Sequence, residues 1–95
     1  MHIITHRRIV EFATLHPNAA SALDSWYRSM KSGAFHTIAE LKAVFPSTDL
    51  IRKDVFVFNI GGNMARLVAA VDFVHQRVYI DTILTHAEYD KNKWK

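Results

Sequence analysis

The fold is decided by the stretch VFVFNIGGNMARLVAAVDFVHQRVYIDTILT, residues 55–85. Apolar residues alternate through residues 55–60, and the glycines that follow suit a tight turn in which glycine takes a positive φ. Two further apolar runs, 64–74 and 77–85, are separated by the weaker turn His75-Gln76. The stretch therefore predicts an antiparallel meander of three strands.

The hydrophobic pattern also predicts the register of this meander, because a slip of one residue would expose the apolar face. With Gly62-Asn63 and His75-Gln76 as two-residue loops, one face is apolar. The other face carries Asn59, Arg66 and Thr85 in a row, about 5 Å apart. The predicted pairs are Asn59 with Arg66, Ile60 with Ala65, Leu67 with Leu84, Ala69 with Thr82, Val71 with Ile80, and Phe73 with Val78.

Helical patterns fill most of the chain before the meander. Met1–Ile4 is expected to form a short edge strand. Three helices are then expected. The first is Arg7–His16 with Thr5 as N-cap; the second is capped by Asn18, ends at Gly33 and carries the apolar stripe Leu23, Trp26, Tyr27 and Met30. The third is opened by the capping box Thr37-x-x-Glu40 and closed by Pro46. Ser47–Asp54 is expected to be a polar loop. Helices followed by strands predict an α+β fold, with helices packed on one face of the sheet.

Composition limits the possible classes of protein. The 95 residues suit a single domain, 1–95, and almost half of them are apolar, which argues against disorder. The chain has no cysteine and therefore no disulfide framework. It shows no signal-peptide pattern and no apolar run that could span a bilayer, so a cytoplasmic protein is expected. The formal charge of +3 and the pI of about 9.5 favour polyanionic partners.

The candidate chemistry centres on Arg66, His86 and Tyr89. Arg66 interrupts an apolar strand on the face away from the predicted core, and its planar guanidinium suits phosphate. His86 can transfer protons near neutral pH, and Tyr89 can take part once cations lie nearby. Thr85–Tyr89 resembles the start of a short helix, which would place His86 and Tyr89 on one side. A solvated arginine and a surface histidine would be the purely structural alternative.

Other polar residues are candidates for contacts with nucleic acid. Lys53, and Arg52 before it, could hold a phosphate, and Lys53 is included among the catalytic candidates. Asn59 and Asn63 are expected to contact RNA beside Arg66. Lys91, Lys93 and Lys95 would form a basic rim, with Trp94 stacking on a base. The histidines at positions 2, 6, 16, 36 and 75 are scattered, so neither a metal site nor a cofactor is expected.

Four segments together resemble the HigB toxins of type II toxin–antitoxin systems, within the RelE-like superfamily. They are Leu41–Ser47, Val57–Asn63, Arg66–Ala69 and Thr85–Lys91, and the likeness runs almost end to end. The resemblance implies a RelE-like fold and an endoribonuclease that cleaves messenger RNA, commonly in the A site of the translating ribosome. It also implies a HigA-like antitoxin with a helix-turn-helix domain. Arg66, His86 and Tyr89 match positions that the family's motifs keep.

One position departs from the family's pattern. Relatives often carry a basic residue where this chain has Asp81, and the predicted register places Asp81 on the open face opposite Ala70. A carboxylate there would repel phosphate. Two other functions therefore stay open: inhibition of DNA gyrase, as in ParE-type toxins, and a non-catalytic role as an antitoxin-binding co-repressor.

Overall fold

The computed structural model of the protein describes residues 1–91. Its elements are β1 (His2–Ile4), α1 (Arg7–Leu15), a 3₁₀ turn (Pro17–Ala19), α2 (Ala20–Ser32), α3 (Ile38–Val44), β2 (Asp49–Arg52), β3 (Val55–Ile60), β4 (Ala65–Asp72), β5 (Arg77–Thr85) and α4 (His86–Asp90). Three helices thus precede most of the sheet, and a short fourth helix follows it. The predicted α+β class is confirmed.

The strands form one five-stranded sheet in the order β1-β5-β4-β3-β2. The edge strand β1 was predicted, but it runs parallel to β5, so the sheet is mixed rather than wholly antiparallel. The prediction of a loop at Ser47–Asp54 was wrong, because β2 pairs antiparallel with β3 through Asp49 and Leu50. β2 is a four-residue edge strand, Asp49-Leu50-Ile51-Arg52, of which three residues are exposed, so it has no buried alternating pattern by which the sequence could reveal it.

The core lies between the helices and one face of the sheet. Leu23, Trp26 and Met30 form the predicted stripe on α2, and all three are buried. The indole of Trp26 packs edge-on against Phe58 of β3, with the ring centroids 5.3 Å apart. Alternate residues of β4, such as Leu67, belong to the same core. The other face of the sheet, called the outer face below, points away from α1–α3.

Two of the three predicted helix caps were wrong. Thr5 has a φ of +68°, and its hydroxyl donates to the carbonyl of Ile80 at 3.0 Å and accepts from the Ile80 amide at 3.1 Å. It therefore ties the β1–α1 connection to β5 instead of capping α1. Asn18 lies inside the 3₁₀ turn. The Thr37 cap is confirmed, since its side chain accepts from the Glu40 amide at 3.1 Å.

The first hairpin has the predicted register. Asn59 pairs with Arg66 and Ile60 with Ala65, which leaves residues 61–64 as the loop. Gly61 and Gly62 adopt φ values of +57° and +70°, a backbone conformation that residues other than glycine disfavour. A Cβ on Gly61 would also lie 2.7 Å from the sulfur of Met64. The glycine pair thus fixes the turn that aligns β3 with β4.

The predicted register of the second hairpin was wrong. Asp72 pairs with Arg77, and the loop is Phe73–Gln76 rather than His75-Gln76 alone. The cause is the carboxylate of Asp72, which accepts hydrogen bonds from the amides of Val74 and His75, both at 3.1 Å. A turn held by an aspartate side chain in this way does not need the glycine that a two-residue loop requires.

A β-bulge further shifts β5 against β4. Ala69 pairs with Ile80 but Val68 pairs with Thr82, so Asp81 is the additional residue. Beyond the bulge Arg66 lies opposite Leu84, not Thr85. The predicted row of Asn59, Arg66 and Thr85 is therefore correct only for its first two members.

We expect Asp72→Ala to lower the urea midpoint of unfolding, because the amides of Val74 and His75 lose their acceptor. Asp72→Asn should keep most of the stability, since an amide oxygen can accept the same two bonds. Equal midpoints for Asp72→Ala and wild type would contradict the role given to this carboxylate.

Candidate functional site

Arg66 lies on the outer face of the sheet, on β4 between Asn59 of β3 and Leu84 of β5. Its neighbours Ala65 and Leu67 belong to the core on the opposite face. The predicted orientation of Arg66, away from the helical layer, is therefore confirmed. Yet the residue is only 8% exposed, which is rare for an arginine. The guanidinium is a buried cation rather than a solvated surface group.

Neutral groups of the β3–β4 loop hold this guanidinium. Nη1 donates to the carbonyls of Gly62 at 3.0 Å and Ala65 at 3.1 Å, and Nη2 donates to the side-chain oxygen of Asn63 at 3.1 Å. Three of the five N–H groups of an arginine are thus used. Within residues 1–91 no carboxylate forms an ion pair with Arg66. Its positive charge is oriented but not neutralised by these partners.

Helix α4 follows directly from β5 and brings two further candidates to this end of the sheet. The Thr85 side chain accepts from the Glu88 amide at 3.2 Å, and the Glu88 carboxylate accepts from the Thr85 amide at 2.9 Å. This reciprocal capping box starts the five-residue helix at His86. Hydrogen bonds with Thr85 hold the pKa of Glu88 below its usual value. The bond from the Thr85 amide contributes most, and the bond with the Thr85 side chain contributes next.

Tyr89 contacts Arg66 from α4. The centre of the guanidinium lies 5.7 Å from the centroid of the Tyr89 ring, within the range of a cation–π interaction. His86 is three residues before Tyr89, so the two side chains leave the same side of the helix with Cβ atoms about 5–6 Å apart. The structure thus brings Tyr89 to Arg66, and His86 lies one turn from Tyr89 on the same short helix.

Sequence reasoning missed Asp90. Its carboxylate lies 3.3 Å from Nε2 of His86, one helical turn away, and the imidazole itself is about half exposed. The spacing of four residues could have indicated this pair once the helix was assigned. Asp90 therefore orients the imidazole.

The remaining predicted residues are spread over the outer face and its edges. Asn63 contacts Arg66 itself, Asn59 is exposed beside it, and Lys91 is exposed at the end of α4. Arg52 and Lys53 precede Val55, which is four residues along β3 from Asn59, or about 13 Å away. The structure therefore does not bring Lys53 to Arg66. Lys93 and Trp94, with Lys95, lie outside the described residues.

Asp81 does not lie opposite Ala70, and that prediction was wrong. Tyr79 occupies the position opposite Ala70, while Asp81 is the exposed bulge residue. Asp81 is three positions along β5 from Leu84, the partner of Arg66, and this spacing corresponds to about 10 Å. The carboxylate therefore lies well away from the guanidinium.

Within residues 1–91 no group of three or more histidine, cysteine or acidic side chains could hold a metal ion. No helix in the same range is both long and apolar enough to cross a membrane.

Comparison with known proteins gives consistent matches over nearly the whole chain. The model of the HigB_toxin family, described as the RelE-like toxic component of a toxin–antitoxin system, matches residues 19–92. An mRNA interferase HigB from Escherichia coli O6:H1 is 41% identical over 93 residues, which cover 96% of this chain and 90% of that protein. The mRNA interferase toxin HigB of Escherichia coli K12 is 39% identical over 92 residues, covering 95% and 88%.

The capping box makes α4 sensitive to acid. Because the pKa of Glu88 is lowered in the folded protein, its contribution to stability is complete above the usual value of 4.5 and is lost as the pH falls through the lower, folded-state pKa. We expect the protection factors for amide hydrogen exchange across residues 86–90, taken against the intrinsic rate at each pH, to fall in that range. Glu88→Gln retains the cap and should remove this pH dependence. Identical acid profiles for the variant and wild type would contradict the assignment.

Proposed function

This chain belongs to the HigB family, the RelE-like toxic components of toxin–antitoxin systems, and we propose that it is an mRNA interferase, an endoribonuclease that cleaves messenger RNA. The observation that carries the proposal is the buried guanidinium of Arg66, which no carboxylate of residues 1–91 neutralises. A buried cation held by neutral acceptors attracts an anion. A phosphodiester of RNA is the anion that the family's activity requires.

The proposed reaction is attack by a ribose 2′-hydroxyl on the adjacent phosphorus. A base removes the 2′ proton, the new P–O2′ bond forms in line, and the P–O5′ bond breaks. An acid then protonates the leaving 5′ oxygen, so the products are a 2′,3′-cyclic phosphate and a 5′-hydroxyl. Arg66 stabilises the charge that builds on the non-bridging oxygens. The route requires no metal, because the guanidinium supplies this electrostatic stabilisation.

His86 and Tyr89 are the proposed proton-transfer groups. His86 is the better candidate for the base, since the carboxylate of Asp90, 3.3 Å from Nε2, orients its imidazole. The Tyr89 phenol then acts as the acid, with its ring against Arg66. Asp90 is a positioning residue that acts through His86.

The cations outside this cluster suit the RNA backbone. Lys91 lies at the end of α4, on the side of the reacting phosphate, whereas Arg52 and Lys53 lie at the far end of β3. We therefore propose that Lys53 contacts a neighbouring phosphate rather than the one that is cut. Asn59, exposed beside Arg66, is the proposed contact for a ribose or base next to the cut.

The proposed setting is messenger RNA in the A site of the translating ribosome, with a HigA-like helix-turn-helix antitoxin as the inhibitor. The support is membership of a toxin–antitoxin family and the net positive charge of +3. Asp81 is three residues along β5 from Leu84, about 10 Å, and is therefore too distant to contact a phosphate bound at Arg66.

Loss of the guanidinium should remove cleavage. In induced cells, mapped transcript ends should appear with wild type and fall about 10²–10³-fold with Arg66→Lys, because lysine keeps the charge but not the planar fork. His86→Gln should reduce cleavage similarly. Arg28→Ala, which removes an exposed arginine paired with Asp24 on α2, is the matched control. Urea midpoints for each purified variant would separate lost chemistry from lost folding.

Undiminished cleavage by Arg66→Lys and His86→Gln would reject the roles given to both residues. Growth arrest with intact transcripts and a DNA-damage response would instead identify a gyrase inhibitor. No growth arrest at all would identify the co-repressor.

The position of the nucleophile gives a second test. Replacing the single ribose on the 5′ side of a mapped cut by deoxyribose should abolish cleavage at that bond, because the attacking 2′-hydroxyl is missing. Neighbouring cuts serve as the internal control. Cleavage that persists at the deoxyribose, or 3′-hydroxyl ends in place of cyclic phosphates, would exclude this mechanism.

A further inference from the structure

A cleft lies on the outer face of the sheet, at the end away from Arg66. It has a volume of about 400 Å³, and its walls include Asp54, Ala70, Val74, His75 and Tyr79. We propose that this cleft binds one unpaired nucleobase of the RNA, stacked on Tyr79, with an exocyclic amino group directed at Asp54. The inference rests on the proposed function, since it places a second contact on the same RNA strand.

The row of residues across the strands leaves one side of the Tyr79 ring open. Tyr79 of β5 lies opposite Ala70 of β4, which lies opposite Val55 of β3. Residues paired in this way point to the same face. The methyl group of Ala70 leaves space beside the ring, and Tyr79 is 40% exposed. A flat platform next to a small residue suits an aromatic ring such as a base.

The acidic walls favour a base over a phosphate. Asp54 is exposed in the β2–β3 turn, and its carbonyl accepts from the Val71 amide at 2.8 Å, which anchors the turn to β4. Asp72 is already engaged by the amides of its own turn and by Nδ1 of His75 at 2.8 Å. Asp54 is thus the carboxylate available to accept from an amino group, as acidic side chains do from cytosine.

Basic residues flank the cleft where the sugar–phosphate backbone would leave it. Lys53 precedes Asp54 in the turn, and Arg77 lies opposite Asp72 at the start of β5; both are exposed. Along β4 Ala70 is four residues from Arg66, about 13 Å away on the same face. A few nucleotides of single-stranded RNA can span that distance. Adenine and cytosine carry the required amino group and uracil does not, so the cleft is a source of base preference.

The test uses 2′-O-methyl tetranucleotides, which this mechanism cannot cleave, and measures their binding to the full-length protein by fluorescence anisotropy. Tetra-adenylate should bind more tightly than tetra-uridylate. Tyr79→Leu should weaken tetra-adenylate binding about tenfold or more, while Tyr79→Phe, which keeps the ring, should stay within about twofold. Asp54→Asn tolerates the positive φ of +62° and should reduce the preference for adenine. Asp24→Asn, which removes an exposed carboxylate on α2 away from the outer face, is the control and should leave the preference for adenine unchanged.

The outcomes separate this inference from the proposed function. Normal binding by Tyr79→Leu in a protein that cuts RNA through Arg66 would overturn the cleft alone. The same is true if Tyr79→Leu loses affinity for the antitoxin but not for RNA. A Tyr79-dependent preference for adenine in a protein that cuts no RNA would support the cleft and reject the nuclease.

Discussion

The constraint on which the site depends is the burial of a positive charge that cannot be removed by deprotonation. A buried lysine can lose its proton, whereas an arginine stays charged at every pH at which the protein is folded. Arg66 is 8% exposed and has only neutral acceptors and an aromatic ring among its described partners. Removing a cation from water costs several kcal/mol when no counter-ion compensates. The arrangement is poor for stability and well suited to binding an anion.

The β3–β4 loop makes this burial tolerable. Gly62 offers its carbonyl to Nη1 and Asn63 its side-chain oxygen to Nη2. Both residues belong to a turn whose glycines adopt positive φ values. The same turn sets the pairing of Asn59 with Arg66. One local feature of the sequence therefore fixes the strand register, aims the guanidinium and satisfies two of its donors.

The sequence predicted what hydrophobic alternation and glycine determine, and it failed where polar side chains bond to the backbone. The first hairpin, the α2 stripe and the orientation of Arg66 followed from apolar spacing. The second hairpin did not, because the Asp72 carboxylate binds two amides and builds a longer turn. Thr5 likewise binds the backbone of Ile80 instead of capping α1. Apolar spacing alone does not reveal such bonds, since the same residues also occur as caps and in loops.

The bulge at Asp81 has the largest effect on the site. In the predicted register Thr85 would lie beside Arg66 on the outer face. The four-residue second loop moves β5 by two residues against β4 and the bulge returns one of them, so Leu84 lies there and Thr85 lies opposite Ala65. Thr85 is then free to cap α4, and its capping box with Glu88 starts the helix at His86. A helix that starts there brings the Tyr89 ring over the guanidinium. The longer loop and the bulge together replace a hydroxyl beside Arg66 with Leu84, and they start α4 where the Tyr89 ring reaches the guanidinium.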